Sequence, residues 1–218
     1  MEFGIYLFFK KSCNLNTEPV VLPIMSTIND QHYIDKVLQG DANAFAVLVD
    51  RYKDMIFTLA QKMIKNREEA EEVAQDTFIK AYNSLSKFKG DSKFSTWIYK
   101  VAYNTCLDRL KKNKKEDNNI SIDEFSAHLI KTMDNALSAL EDKERKQTIQ
   151  NCLNLLPSKE NFLLTLFYFE DQSLEEIGKV MNINANNVKV KLFRSRQKLA
   201  VILKKQLEPE TIECYERK

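Results

Sequence analysis

Residues 173–203 set the tightest limit on what this chain can fold into. Ser173 to Met181 (SLEEIGKVM) reads as a short helix, and Ser173 with Glu176 matches a capping box, in which each side chain satisfies an orphan backbone donor. Asn182, Ile183 and Asn184 leave room only for a tight turn. The turn is rich in asparagine (Asn182, Asn184, Asn186), which tolerates left-handed geometry and caps helices well. From Val188 the helical period resumes. Val188, Leu192, Leu199 and Leu203 fall on one face, helped by Phe193 and Ile202, while cations fill the remainder. Two helices joined by so short a turn make a helix-turn-helix. The second has the charge expected of an element lying in a nucleic-acid groove.

The rest of the chain is equally poor in strand signals. It holds only four glycines and four prolines in 218 residues, and Pro19, Pro23 and Pro209 lie near the ends. Turn-rich β architectures need more of both, so an all-α fold is expected, as one domain or two small ones. The net charge of +2 is unevenly spread. Residues 86–115 carry nine Lys/Arg against Asp91 and Asp108, and residues 188–205 carry seven Lys/Arg with no acid. Two concentrated basic segments on a near-neutral chain point to directed binding of a polyanion. Cys13, Cys106, Cys152 and Cys214 are far apart and neighbour neither His32 nor His128, so neither zinc nor a disulfide framework is expected, in keeping with a cytoplasmic protein. The apolar run Phe3–Phe9 is too short to span a bilayer, and its lysines follow it instead of preceding it; no membrane insertion is expected.

Periodicity divides the chain. An N-terminal extension (1–28) precedes a helical domain over 29–113. That domain has a short helix at 30–39, a longer one capped by Asp41, a third over 68–85 and a fourth over Thr96–Lys112. The third opens with Glu68, Glu69, Glu71 and Glu72, which complement the helix dipole. Residues 114–136 are polar and aperiodic, and read as a flexible linker. A second domain over 137–207 has helices at about 138–155, 158–170 (with Ser158 as a candidate cap), 173–181 and 185–205, by the same spacing rule. A tail over 208–218 follows. The expected architecture is two small all-α domains, the second containing the helix-turn-helix.

Three groups of residues can carry function. On the second helix of the motif, Asn187, Lys189, Lys191, Arg194 and Arg196 lie off the apolar face. Arg can address guanine bidentately, Asn can address adenine, and Lys can serve either bases or phosphates. In the first domain, Phe88, Lys89, Lys93, Phe94, Ser95, Trp97 and Lys100 interleave rings with cations. That pattern suits unpaired nucleic acid, where rings stack on bases at about 1–3 kcal/mol each and lysines follow the backbone. Trp97 and Tyr103 could equally be core. The acidic helix is the third group; most of its acids read as a solvated face, and Gln75, Asp76 and Phe78 could form a protein-docking edge. No Ser/His/Asp set and no metal-ligand spacing is present, so a helical hydrolase finds no support, and no catalytic residue or cofactor is expected.

With these residues in view, a resemblance appears. Ala70–Tyr82 (AEEVAQDTFIKAY) and Phe88–Asp108 (FKGDSKFSTWIYKVAYNTCLD) resemble the region-2 domain of extracytoplasmic-function sigma factors. Leu155-Leu156-Pro157, Phe169–Ile177 (FEDQSLEEI) and Asn187–Leu199 (NVKVKLFRSRQKL) resemble that family's region 4. The resemblance implies a transcription initiation factor with core RNA polymerase and promoter DNA as partners. Glu71, Glu72, Gln75, Asp76 and Phe78 would dock on the polymerase clamp. The Phe88–Ser95 loop would pocket a flipped base of the melted −10 element, and Lys100, Asn104, Arg109 and Lys112 would line its path. Asn187, Lys189, Lys191, Arg194 and Arg196 would read the −35 duplex, and the linker would thread along the polymerase. An anti-sigma factor, if one exists, would cover the polymerase-facing surfaces. A stand-alone regulator that binds duplex DNA without polymerase is the alternative.

Overall fold

The computed structural model describes residues 29–112 and 142–206; the N-terminal extension, the linker and the C-terminal tail expected above lie outside them. Eight α-helices carry the described residues: α1 (Asp30–Leu38), α2 (Ala44–Met63), α3 (Arg67–Ser84), α4 (Phe94–Lys112), α5 (Asp142–Leu155), α6 (Ser158–Tyr168), α7 (Leu174–Met181) and α8 (Ala185–Gln206). Among the described residues, compactness gathers 29–112 with 175–185 into one unit, and 142–174 with 186–206 into another.

In the first unit, local chemistry sets the helix starts. Asn29 caps α1 by accepting the Gln31 N–H, and Asn66 caps α3 by accepting the Glu69 N–H at 3.0 Å. Asp41 does not cap α2. Asn43 holds the cap position without a side-chain bond, and Asp41 accepts the Asn43 N–H at 3.1 Å, a local turn that precedes the helix. Helix α3 runs into a 3₁₀ turn at Leu85–Lys87. α4 starts two residues before the expected Thr96 because Phe94, 3% exposed, is drawn into its first turn by burial.

The core of this unit runs through α2. Leu48, Ile56, Leu59 and Met63 are 0–1% exposed, as are Ala70 and Val73 of α3 and Ile98, Ala102 and Cys106 of α4. Burying each large apolar side chain contributes about 1.5–3 kcal/mol. The threonines among them send their hydroxyls back to the helix: Thr77 Oγ1 donates to the Val73 carbonyl (2.7 Å) and Thr105 Oγ1 to that of Val101 (2.9 Å). Asp30 ties α1 to α2, accepting from Arg51 and, at 2.7 Å, from Tyr52 Oη.

In the second unit α6 is the hub. Phe162, Leu163, Leu164 and Leu166 are 0–1% exposed, joined by Leu153 and Leu156 of the preceding segment and by Leu192, Leu199 and Leu203 of α8. Ser158 is the first helical residue of α6 and not its cap; Pro157 holds the cap position, and its carbonyl accepts the N–H groups of Glu160 (2.9 Å) and Asn161 (3.0 Å). Burial pushes the Cys152 thiol up to about 11 and that of Cys106 up to about 12, which keeps both protonated and unreactive.

The turn between α7 and α8 has a definite geometry. Asn182 takes φ +59°, the left-handed conformation expected of its asparagine. The chain folds back so closely that the Ile183 N–H donates to the Gly178 carbonyl at 3.0 Å. A Cβ on Gly178 would sit 2.7 Å from the Ile183 carbonyl oxygen, closer than packed atoms approach. Gly178→Ala is therefore expected to destabilise the protein by about 1–3 kcal/mol in urea unfolding, despite alanine's better helix propensity. A neutral or stabilising result would mean that the turn opens without cost. In a chain with Cys13 and Cys214 replaced by serine, a thiol reagent at pH 8 should label Cys106 and Cys152 only after denaturant is added. Prompt labelling of the folded protein would contradict their burial.

Candidate nucleic-acid interface

The first surface grows from the aromatic rings at the start of α4. Phe94 lies under the loop, with its ring centroid 5.5 Å from Tyr52 and from Trp97 and 5.7 Å from Phe88. Phe88 and Trp97 are themselves 5.5 Å apart and only half-buried. The stack divides the aromatic residues named from sequence: Phe94 is the buried base, and Phe88 and Trp97 are the rings that retain open surface. Tyr103, 6% exposed, is core. Around them Lys89 and Lys93 are exposed, Ser95 and Lys100 are half-buried, and Gly90 takes φ +77° in the loop. Trp97, Lys100 and Asn104 follow one another at helical spacing, so rings, cation and amide share a stripe of α4. Lys112 is exposed at the helix's end.

Arg109 is placed differently. Its Nη2 lies 2.8 Å from Glu72 Oε2 of α3, so a residue expected at DNA and one expected at polymerase meet in an ion pair. A second bridge, Lys80–Asp108 at 3.7 Å, joins the same two helices. On the outer face of α3, Glu68, Glu72, Gln75, Ile79 and Tyr82 form one stripe at intervals of three and four. Ile79 is 59% and Tyr82 42% exposed, whereas Phe78 is half-buried. Glu71 and Asp76 are exposed beside the stripe, and Glu71 pairs with Arg67 at 3.1 Å. Ile79 and Tyr82, not among the residues singled out from the sequence, continue the stripe from Gln75 in steps of four and three.

The second surface is α8. Val188 and Leu192, 0% and 2% exposed, hold its inner face, together with Leu199 and Leu203. Phe193 does not join them: it is 54% exposed, and Val190 is 48% exposed. Asn187, Lys189, Lys191 and Arg194 are exposed. Arg196 turns back toward α6. Its Nε donates to Tyr168 Oη at 2.7 Å, and its guanidinium sits 5.4 Å from the Phe167 ring and 5.6 Å from that of Tyr168. Lys198 likewise turns back to pair with Glu160. Among the described residues no group of three or more His, Cys, Asp or Glu could hold a metal ion, and no helix is long and apolar enough to cross a membrane.

Residues 48–116 match the Sigma-70 region 2 family, and residues 146–199 match Sigma-70 region 4. The chain is 37% identical over 172 residues to the ECF RNA polymerase sigma factor SigW of Bacillus subtilis, covering 76% of this chain and 92% of that one. It is 33% identical over 174 residues to the RNA polymerase sigma-H factor of Pseudomonas aeruginosa, covering 77% and 90%. In fold it is similar to the sigma factor RpoE of Bartonella quintana, solved with the anti-sigma factor NepR, with a TM-score of 0.55 and 17% identity over 73% of this chain and 96% of that one. The chain belongs to the extracytoplasmic-function sigma factors of RNA polymerase. It acts in transcription initiation, directing the polymerase to promoters, and the stand-alone regulator is not favoured.

The different placements of the two arginines of α8 have a measurable consequence. Arg196→Ala removes a hydrogen bond and two ring contacts and is expected to lower stability by about 1–2 kcal/mol in urea unfolding. Arg194→Ala, on the exposed face, should stay within about 0.5 kcal/mol of the parent. Equal effects would show that Arg196 is not held by Tyr168.

Proposed function

We propose that the surfaces divide the work of promoter recognition. The loop after α3 and the outer stripe of α4 take the melted −10 element, with Phe88 and Trp97 as stacking rings, Lys89, Lys93, Lys100 and Lys112 along the backbone, and Ser95 and Asn104 as hydrogen-bonding groups. Phe94 holds the rings in place from beneath. Helix α8 reads the −35 duplex through Asn187, Lys189, Lys191 and Arg194, while Arg196 fixes the helix on α6. The stripe of α3, with Glu71, Glu72, Gln75, Asp76 and Phe78 extended by Ile79 and Tyr82, docks on core polymerase. Arg109, held by Glu72, sits where the DNA and polymerase surfaces meet. The working domains are proposed to span 29–113 and 137–207.

One observation carries this reading: the chain bears two cationic surfaces of different chemistry. Rings with open faces suit unpaired bases, because every base offers a face to stack on. A ring-poor helix following a tight turn suits a groove with paired bases. Flipping a base costs a few kcal/mol, which stacking against Phe88 and Trp97 offsets. An anti-sigma factor, the class of partner found with the Bartonella relative, is proposed to cover the polymerase-docking surfaces. The reading also assigns this chain no chemical step of its own, leaving catalysis to the polymerase.

Run-off transcription with the full chain, bacterial core polymerase and genomic fragments, with transcript 5′ ends sequenced, is the test. A small set of starts sharing two upstream elements is expected, and unchanged initiation by core alone would overturn the proposal. Arg194→Ala should reduce initiation from those starts roughly tenfold or more, the discrimination expected of one bidentate contact. It should still co-elute with core enzyme on gel filtration; loss of co-elution would contradict the division of labour.

A further inference from the structure

We propose that Val190 reads a thymine methyl at the centre of the −35 element, making it a specificity-determining residue of this chain. The proposal rests on α8 being the duplex reader described above. Successive α-helical residues are separated by roughly 100° about the axis. The buried residues Val188, Leu192, Ser195 and Leu199, all 0–3% exposed, mark the inner side of α8. Counting round the helix, Val190 falls almost diametrically opposite the middle of that side. Lys189 and Lys191 flank the outward face, and Asn187 and Arg194 stand beside Val190 at three and four residues' distance.

A helix laid in a major groove presents its outermost stripe to the base edges and its flanks to the two phosphate walls. Lysines on the flanks suit the phosphates. Asn187 and Arg194 can hydrogen-bond base edges. Val190 can do neither, yet it occupies the outermost place with 48% of its surface exposed. Its branched side chain has no donor or acceptor, so the groove feature that complements it is the C5-methyl of thymine, the apolar group displayed by the base pairs there. Any other base would bring a polar edge against two methyls with nothing to bond. An isolated exposed valine needs no explanation. This one lies at the middle of a cationic face, with Phe193, 54% exposed, three residues on along the same outward side.

The test needs no mutant at first. Promoters with randomised upstream duplex are selected for initiation by the full chain with core polymerase, and each thymine of the selected −35 element is then replaced in turn by uracil, which removes only the methyl. One replacement should cut initiation about fourfold, the effect of one buried methyl-sized group. With Val190→Ala that one position should become insensitive to uracil, while sensitivities elsewhere persist. Alanine favours the helix, so the variant should keep the parent's circular dichroism. If a −35 element is selected but no thymine responds to uracil, or if Val190→Ala keeps the parent's response, the proposal fails while the duplex-reading role of α8 stands. If no upstream duplex element is selected, both fail together.

Discussion

Each helix of this sigma factor has an apolar stripe that must leave water, and the burial of those stripes is the constraint from which the surfaces follow. In the first unit α2 supplies the central stripe, from Leu48 to Met63, against which α3 and α4 are set. In the second, α6 is enclosed on nearly every side. Small helical units have little core to spare, so every large apolar residue that can reach the interior is used there. Charge is thereby driven to the remaining faces, and the surfaces proposed to bind DNA and polymerase are the outward sides of helices positioned by their inner ones.

That partition also gives meaning to the apolar residues left outside. Ile79 and Tyr82 lie on the α3 stripe that carries Glu72 and Gln75, and Val190 and Phe193 lie among the cations of α8. Exposure at these places coincides with the surfaces proposed above for polymerase and duplex DNA. The aromatic stack follows similar logic. Phe94 is buried against Tyr52, whose hydroxyl is fixed by Asp30, and the half-buried Phe88 and Trp97 rest on Phe94. The open rings are thus held through a chain of contacts that reaches back to α1. Such preorganisation would lower the ordering cost of the base capture proposed above.

Much of the fold was legible in the sequence because it depends on local spacing. The helices follow from the periods of three and four, and the left-handed turn before α8 from its asparagines. Caps were less legible. Asp41 and Ser158 have the right chemistry for capping, but each is displaced by a residue or two from the position where the backbone leaves the helix. Phe94 was expected in the loop and lies instead in the first turn of α4, because the room it fills beneath Phe88 and Trp97 is made by Tyr52, more than forty residues away in the chain. The role of Gly178 was also hidden: the carbonyl that excludes a side chain there belongs to Ile183, and only the path of the turn brings it close.

The sequence by itself determined that this chain is helical, that it carries two basic segments of different character, and that its motifs belong to promoter recognition by RNA polymerase, because period, charge and residue type are properties of the chain in order. Only the tertiary structure decided which of those residues face outward. Arg194 and Arg196 are two residues apart on one helix, yet one is exposed and the other is bound to Tyr168. Arg109 carries the charge expected of a DNA contact but is paired with Glu72 from another helix. The physical reason is that a cation's availability depends on which acids and rings the fold brings to within a few ångströms, and those neighbours come from distant parts of the chain.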